Sequence, residues 1–373
     1  MIRDTIRQYG REKLEALHSA LEARRKSGKG LARQLCEILS LRFGRQELTA
    51  SEYYAYGLYD DTRFTREAKR RYGGVRVDVR LDRALNDKKW HCITQDKIIT
   101  YLLLNSLGLP YPRLKAVFDD APRYVAGVPC LTTIEGLRAF LADAQYPLFA
   151  KPVGGSFGRG ALAIRGFDGQ RDSLELTSGD TLSMDAFLHL HRTPQATKNR
   201  GYLFQEMIEP HPLLKEACGD RLCGVRVVAI LNETGPRIVG ATLKIPTGKN
   251  ITDNIAQGET GNLEAYIDAG EGKVGSVVRY GPSGSFNPVV CHPDTGVPFV
   301  GLEIPRWSQF VDLVLRGASA FPRLRYQHWD VAVSASGPVV LELNVAGEFL
   351  GGVQATTGHG WLEGPLRDAL DRL

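Results

Sequence analysis

The sequence predicts an α+β fold built on antiparallel sheets. Two hairpin signals carry that reading. "GVRVVAILNETGPRIVGATLKIP" and "HWDVAVSASGPVVLELN" each fold two β-rich runs around a glycine-containing turn. Helical patterns lie around and between them, without the regular strand–helix alternation of a doubly wound sheet. No internal repeat or low-complexity tract interrupts the pattern.

The elements follow in order. Residues 1 to about 70 read as helices, because Ile6, Leu14, Leu17 and Leu21, then Leu31, Leu35, Ile38 and Leu39, recur at three- and four-residue spacing. "KSGKG" breaks the run. "DKIITYLLLNSLGLPYPRL" reads as a helix with Ile98, Leu102 and Leu103 on one face, Gly108 at its end and Pro110 as a stop. "RYVAGV" reads as a short strand, "TIEGLRAFLADA" as a capped helix, "YPLFAKPV" and "GALAIRGF" as strands and "SMDAFLHLHR" as a helix. "GYLFQEMI" is a strand, "RWSQFVDLVLRGASAF" a helix, and "GPLRDALDRL" a closing helix with Pro365 in its first turn. The domain reading is a helical N-terminal region over 1–90, a linker helix with the segment after it over 91–145, and two further units over 146–205 and 206–373.

Composition narrows the class. With 373 residues, 43% hydrophobic and 24% charged, the chain can bury a sizeable core. No apolar run reaches the length of a membrane span, and the charged N-terminus lacks the core of a secretory signal. Six cysteines with no CxxC spacing predict reduced thiols in a cytoplasmic protein, with no zinc site. The net charge of +5 arises partly from "EARRKSGKG" and "TREAKRRYGG". Such runs can bind nucleic acid or anionic lipid, or simply form solvated helix faces. Interleaved acids and the lack of an aromatic–basic stripe argue against a nucleic-acid partner.

"FAKPVGGSFGRGALAI" sets Lys151 at the end of a strand and then Gly154, Gly155, Gly158 and Gly160 before a second strand. Glycines let consecutive backbone N–H groups approach an anion, and a lysine adds charge of the right sign. Neither a P-loop nor a dinucleotide fingerprint fits, because a strand follows. The chemistry indicated is a flap over phosphates; a plain glycine-rich hairpin is the alternative. In the second hairpin, Glu342 and Asn344 share one face, and the turn brings Asp330 near Glu342. Two carboxylates and an amide oxygen suit Mg²⁺ held jointly with phosphates. Glu342 interrupts an apolar run, where an unpaired carboxylate is costly.

These anchors, in this order, resemble the ATP-grasp superfamily over residues 90–373. The blocks "DKIITYLLLNSLGLPYP", "LFQEMIEPH", "GVRVVAIL", "ATLKIPTGKNITDNIAQGETGNLEAYID" and "HWDVAV…GPVVLELN" are most similar to its sugar-transfer-associated branch and to α-L-glutamate-ligase-like proteins. The resemblance implies two α+β lobes clamping ATP. It also implies an ATP- and Mg²⁺-dependent carboxylate–amine ligase, with Mn²⁺ as an alternative metal, that acts on a small-molecule acid and amine through an acylphosphate. A small-molecule or sugar kinase on the same scaffold, or a non-catalytic nucleotide-binding protein, are the alternatives.

Residue by residue, the resemblance implies that Lys97 and Lys151 bind phosphates and that Gly155, Ser156, Gly158 and Gly160 form the flap. Glu206, Met207 and Ile208 meet adenine, and Asp330, Glu342 and Asn344 bind metal. Lys244 touches the terminal phosphates, Arg226 anchors the acyl carboxylate or the moving phosphoryl group, and Asn254 contacts substrate or the metal shell. Without the resemblance, Met207 and Ile208 read as core, Arg226 as a structural ion-pair partner and Asn254 as turn chemistry. His211 is a candidate ribose contact or a loop cap. Two positions that hold arginine in many superfamily members are His328 and Ala346 here.

Overall fold

A computed structural model describes residues 16–155, 158–192, 201–281, 285–345 and 347–373. Ser156 and Ala346 lie outside them. Two seven-stranded sheets carry the architecture. Sheet one has the order β2-β1-β7-β3-β4-β5-β6, ending in β5 (Ser173–Leu176) and β6 (Thr181–Ser183), and sheet two the order β12-β11-β10-β9-β8-β13-β14, opening with β12 (Phe286–Pro288) and β11 (Val274–Tyr280). Every pairing is antiparallel except β1 (Leu114–Phe118) with β2 (Cys130–Leu131). Sheet one centres on β3 (Leu148–Pro152), β4 (Leu162–Asp168) and β7 (Tyr202–Glu206). Sheet two centres on β8 (Gly224–Asn232), β9 (Gly235–Ile245), β10 (Leu263–Ile267), β13 (Tyr326–Ser334) and β14 (Gly337–Asn344).

Alternation along the sheet-two strands builds both the core and the site. Val225, Val227, Ala241, Leu243, Leu263, Ala265, Trp329 and Val331 point to one face. There they pack with α11 (Trp307–Ala320) and α7 (Lys97–Ser106). The residues between them, Arg226, Thr242, Lys244, Glu264 and Asp330, point to the other face. Part of that second face is covered by α5 (Val75–Leu85), α12 (Phe349–Thr357) and α13 (Gly364–Asp371), through Val77, Leu81, Phe349, Val353 and Leu366 against Val228, Ile230 and Tyr326. The uncovered part is where the polar residues collect.

Helix α7 begins at Asp96, whose carboxylate accepts from the N–H groups of Ile98 and Ile99 and holds Arg123 in two hydrogen bonds. The helix ends before Gly108, which has φ +64°. Its buried stripe is Ile98, Tyr101 and Leu104, whereas Leu102 is exposed. The expected strand at 123–128 is a turn holding a single bridge between Val125 and Val128; the strand follows at Cys130.

The N-terminal region is helical over residues 16–27 (α1), α2 (Leu31–Phe43), α3 (Ala50–Ala55) and α4 (Arg66–Arg70). Its core is aromatic: Tyr53, Tyr56, Phe64 and Tyr72 with Leu41, Leu48 and Leu58. The two basic runs are not wholly solvated. Lys29 and Lys69 are buried and meet Glu37 and Asp61, with Lys29 at 2.7 Å from each and Lys69 at 3.2 and 2.5 Å. All six cysteines are free. No described helix is long and apolar enough to cross a membrane.

Candidate active site

Between the two sheets lies a cavity of about 1210 Å³. That is larger than a pocket for one small ligand, which runs to roughly 1,000 Å³. Its floor is the polar face of sheet two. Register places Asp330 opposite Glu342 on one side and opposite Arg226 on the other, and Lys244 opposite Glu264. Across the sheet from β14 to β10, the charges therefore run Glu342, Asp330, Arg226, Lys244, Glu264.

The floor is knitted together. Arg226 donates Nε to Asp330 Oδ1 at 2.9 Å and Nη2 to Oδ2 at 2.8 Å. Lys244 Nζ lies 3.2 Å from Asp330 Oδ1 and 3.6 Å from Asp253 Oδ2. Burial opposes ionisation of Asp330, but Arg226 and Lys244 outweigh it and hold the carboxyl well below the usual range. Burial pushes the carboxyls of Asp253 and Glu264 upward, against the pull of nearby cations. Tyr280 donates its hydroxyl to Glu264 Oε2 at 2.9 Å.

The roof is the end of β3 and the glycine turn. Lys97, at the start of α7, reaches Glu342 Oε1 at 3.0 Å and the Gly155 carbonyl at 3.0 Å. Lys151 donates to the Leu341 carbonyl at 3.4 Å and sits 5.5 Å from the centre of the Tyr101 ring. No carboxylate among the described residues is within ion-pair distance of Lys151, and burial lowers its pKa. Gly154, Gly155 and Gly158 line the cavity. Gly158 has φ +65°, and a Cβ there would sit 2.9 Å from Thr252 Oγ1 across the cleft.

Several sequence candidates fall elsewhere. Gly160 packs against Tyr202 and Pro152, outside the cavity lining. Gln205 on β7 and Met207 and Ile208 just after it line the cavity, while the Glu206 carboxylate accepts from the Arg113 N–H at 2.9 Å. Adjacent strand residues point to opposite faces, so Gln205 and Glu206 cannot both face inward. His211 is a helix cap: its Nδ1 accepts from the Leu213 N–H at 3.2 Å, opening α10 (Pro212–Cys218). Asn254 lines the cavity, and its Oδ1 accepts from the Ala256 N–H at 2.7 Å, which is turn chemistry. His328 is buried with neither ring nitrogen hydrogen-bonded, and burial pushes its pKa down to about 3.

Other contributors are absent from the sequence reading. Buried Asn262 organises the loop after β9: its Oδ1 accepts from the Thr247 N–H, and its Nδ2 donates to the carbonyls of Thr252 and Asn254. Glu52 and Tyr56 of α3 and Asp78 of α5 form a further wall, with Tyr56 stacked on Phe286. A polar residue alternating with Leu263, Ala265 and Ile267 is the one sequence signal that marks Glu264.

The oxygen donors suit a hard divalent cation. Asn344 gives its Nδ2 to Asp330 Oδ2 at 3.3 Å, so its amide oxygen remains as a donor beside Glu342 and Asp330. Among the described residues, no three acidic, histidine or cysteine groups form a metal centre by themselves. A cation here would share Asp330 with Arg226 and Lys244 and need further oxygens from a ligand.

Two antiparallel sheets closing on a cavity lined by lysines, a glycine flap and paired carboxylates define an ATP-grasp fold. The family described as sugar-transfer associated ATP-grasp matches residues 76–365, and the chain belongs to it. Among solved structures, the biotin carboxylase–βγ-ATP complex from Campylobacter jejuni is 11% identical, with TM-score 0.40, covering 71% of this chain and 47% of that one. An L-amino acid ligase from Bacillus licheniformis is 14% identical, with TM-score 0.38 and coverages of 74% and 48%. The VanG D-Ala:D-Ser ligase from Enterococcus faecalis is 13% identical, with TM-score 0.39 and coverages of 74% and 60%. The chain thus spans about half the length of the first solved structures it matches. No curated protein matches it.

Proposed function

We propose that the protein is an ATP-dependent ligase joining a carboxylate to an amine, with release of ADP and phosphate. The observation that carries this reading is the row Glu342–Asp330–Arg226–Lys244–Glu264 facing Lys97 and Lys151 across one cavity. In this reading Lys97 and Lys151 hold the phosphates under the glycine flap, and the backbone at Met207 and Ile208 receives adenine. Asp330, Glu342 and Asn344 hold Mg²⁺, which when bound neutralises charge on the phosphate oxygens. An acid carboxylate lies against Arg226 and Lys244. Its oxygen attacks the γ-phosphorus, ADP leaves, and fixed positive groups stabilise the charge that develops. The amine nitrogen then attacks the acyl carbon and phosphate leaves. Glu264, with its carboxyl raised by burial and oriented by Tyr280, takes the amine proton.

The test supplies MgATP with pooled sugar acids and amino acids, alone and together, and analyses products by mass spectrometry. ADP and phosphate released only when acid and amine are both present, with a condensed amide, is the expected result. AMP with pyrophosphate, or a stable phosphate ester, overturns it.

A further inference from the structure

Helix α2 carries apolar residues on both its inner and its outer face. Its inner face holds buried Leu41 and half-buried Ile38 together with two polar residues. Gln34 is buried, donates Nε2 to the carbonyls of Ala20 and Lys29 at 3.2 and 2.8 Å, and accepts from the Tyr54 hydroxyl at 3.0 Å. Glu37 is held by Lys29, Lys69 and the Tyr53 hydroxyl. Four further apolar residues turn outward. Leu31, Leu35, Leu39 and Phe43 are 37%, 56%, 45% and 83% exposed, and they recur every four residues, so they form one stripe. Helix α1, which Gln34 ties to α2, adds Leu17 and Leu21 at 53% and 49%. The ion pairs and aromatic core beneath α2 fix this orientation, so rotation of the helix cannot hide the leucines.

A stripe of that size, flanked by charge, marks an interaction surface. The flank is basic. Arg24, Arg25, Lys26, Arg33 and Arg45 are all exposed on these two helices and the turn that follows, beside Glu22. Arg33, Lys26 and Arg45 meet Asp61, Glu22 and Asp371 in exposed pairs of the kind that salt and competing anions readily replace. A second copy docking stripe to stripe about a two-fold axis would set these arginines against one another. An anionic lipid surface complements them, taking leucine and phenylalanine into the headgroup boundary and arginine against the phosphates.

We propose that the α1–α2 face docks the protein on an anionic phospholipid surface, with α2 lying in the interface plane. The surface is one layer from the cavity. Tyr53 of α3 bonds Glu37 beneath the stripe, and Tyr56, directly after the last residue of that helix, lines the cavity wall.

The experiment is co-sedimentation of the full chain with vesicles of phosphatidylcholine alone and of phosphatidylcholine containing about one-third phosphatidylglycerol. The expected result is pelleting with the anionic vesicles, weakened by salt, and little pelleting with the neutral ones. Leu35→Glu with Leu39→Glu should lower vesicle partition at least tenfold. Because both side chains are exposed, the melting temperature should stay unchanged. Equal pelleting on both vesicle types, or pelleting that survives the double substitution, overturns the proposal. So does the absence of pelleting with the anionic vesicles; a concentration-dependent dimer, seen by sedimentation velocity, that the substitution abolishes would then assign this face to a second copy of the chain.

Discussion

Lys151 is the cation in the cavity whose surroundings change most if phosphate arrives. Lys97, Arg226 and Lys244 each lie against a carboxylate, whereas Lys151 has a long contact to a carbonyl and lies over the Tyr101 ring. Burial already disfavours its charge, and an anionic ligand would restore it. A hydrogen bond to a charged group contributes about 1.5–3 kcal/mol, so Lys151→Ala should weaken MgATP binding roughly tenfold to a hundredfold by calorimetry. Unchanged affinity would remove Lys151 from the nucleotide site. Such residues were legible because a charged side chain inside an apolar β run demands a reason, as Lys151, Lys244 and Glu342 do. Glu206 turns from the cavity because side-chain direction depends on register, which a motif does not specify, and His211 takes the capping role that the sequence left open beside a ribose contact. Asn262 had no signal: its hydrogen bonds organise a loop whose path is set only by the finished fold.

At the level of elements, α5 shows how a buried acid couples docking to pH. Asp78 sits at the junction of α5, β13 and α12, accepting from the Tyr326 hydroxyl at 2.6 Å and the Leu350 N–H at 3.2 Å. Burial, only partly offset by these bonds, pushes its carboxyl up to about 7. The native state therefore keeps a proton that the unfolded chain releases near pH 4. Stability from this group is fully present below pH 4 and is lost as pH rises toward 7, by at most about 4 kcal/mol. Asn at this position can still accept from Leu350 and donate to Tyr326. Urea unfolding between pH 5 and pH 8 should show Asp78→Asn losing less stability than the parent; parallel curves would contradict the buried protonated acid. The hairpins were legible because period-two alternation is local. Helix α12, "FLGGVQATT", was not, because its glycines and β-branched residues oppose helix formation and tertiary packing decides. A Cβ at Gly352 would run into the Glu264 carboxyl, so glycine here lets the helix pass the site without displacing that side chain.

Across the whole molecule, the cavity exists because three bodies of structure meet. Sheet one brings Lys151 and the flap, sheet two brings the charged floor, and the N-terminal helices bring Glu52, Tyr56 and Asp78. The last contribution was invisible in sequence, since it depends on contacts such as Asn86 with Tyr326 and Gly73 with Gln354, each more than two hundred residues apart. A ligand gripped by both sheets binds the native state and not the unfolded chain. It therefore stabilises by mass action, by about 2.7 kcal/mol at a hundredfold excess over its dissociation constant. The melting temperature should rise with the logarithm of MgATP concentration, by a degree or more per kcal/mol for a chain of this size. With ATP and a chelator the rise should be smaller, because Asp330 and Glu342 would then face the phosphates without a cation between them. A melting temperature unmoved by millimolar MgATP, in a protein whose unfolding is otherwise reversible, would show that the two sheets do not close on a nucleotide.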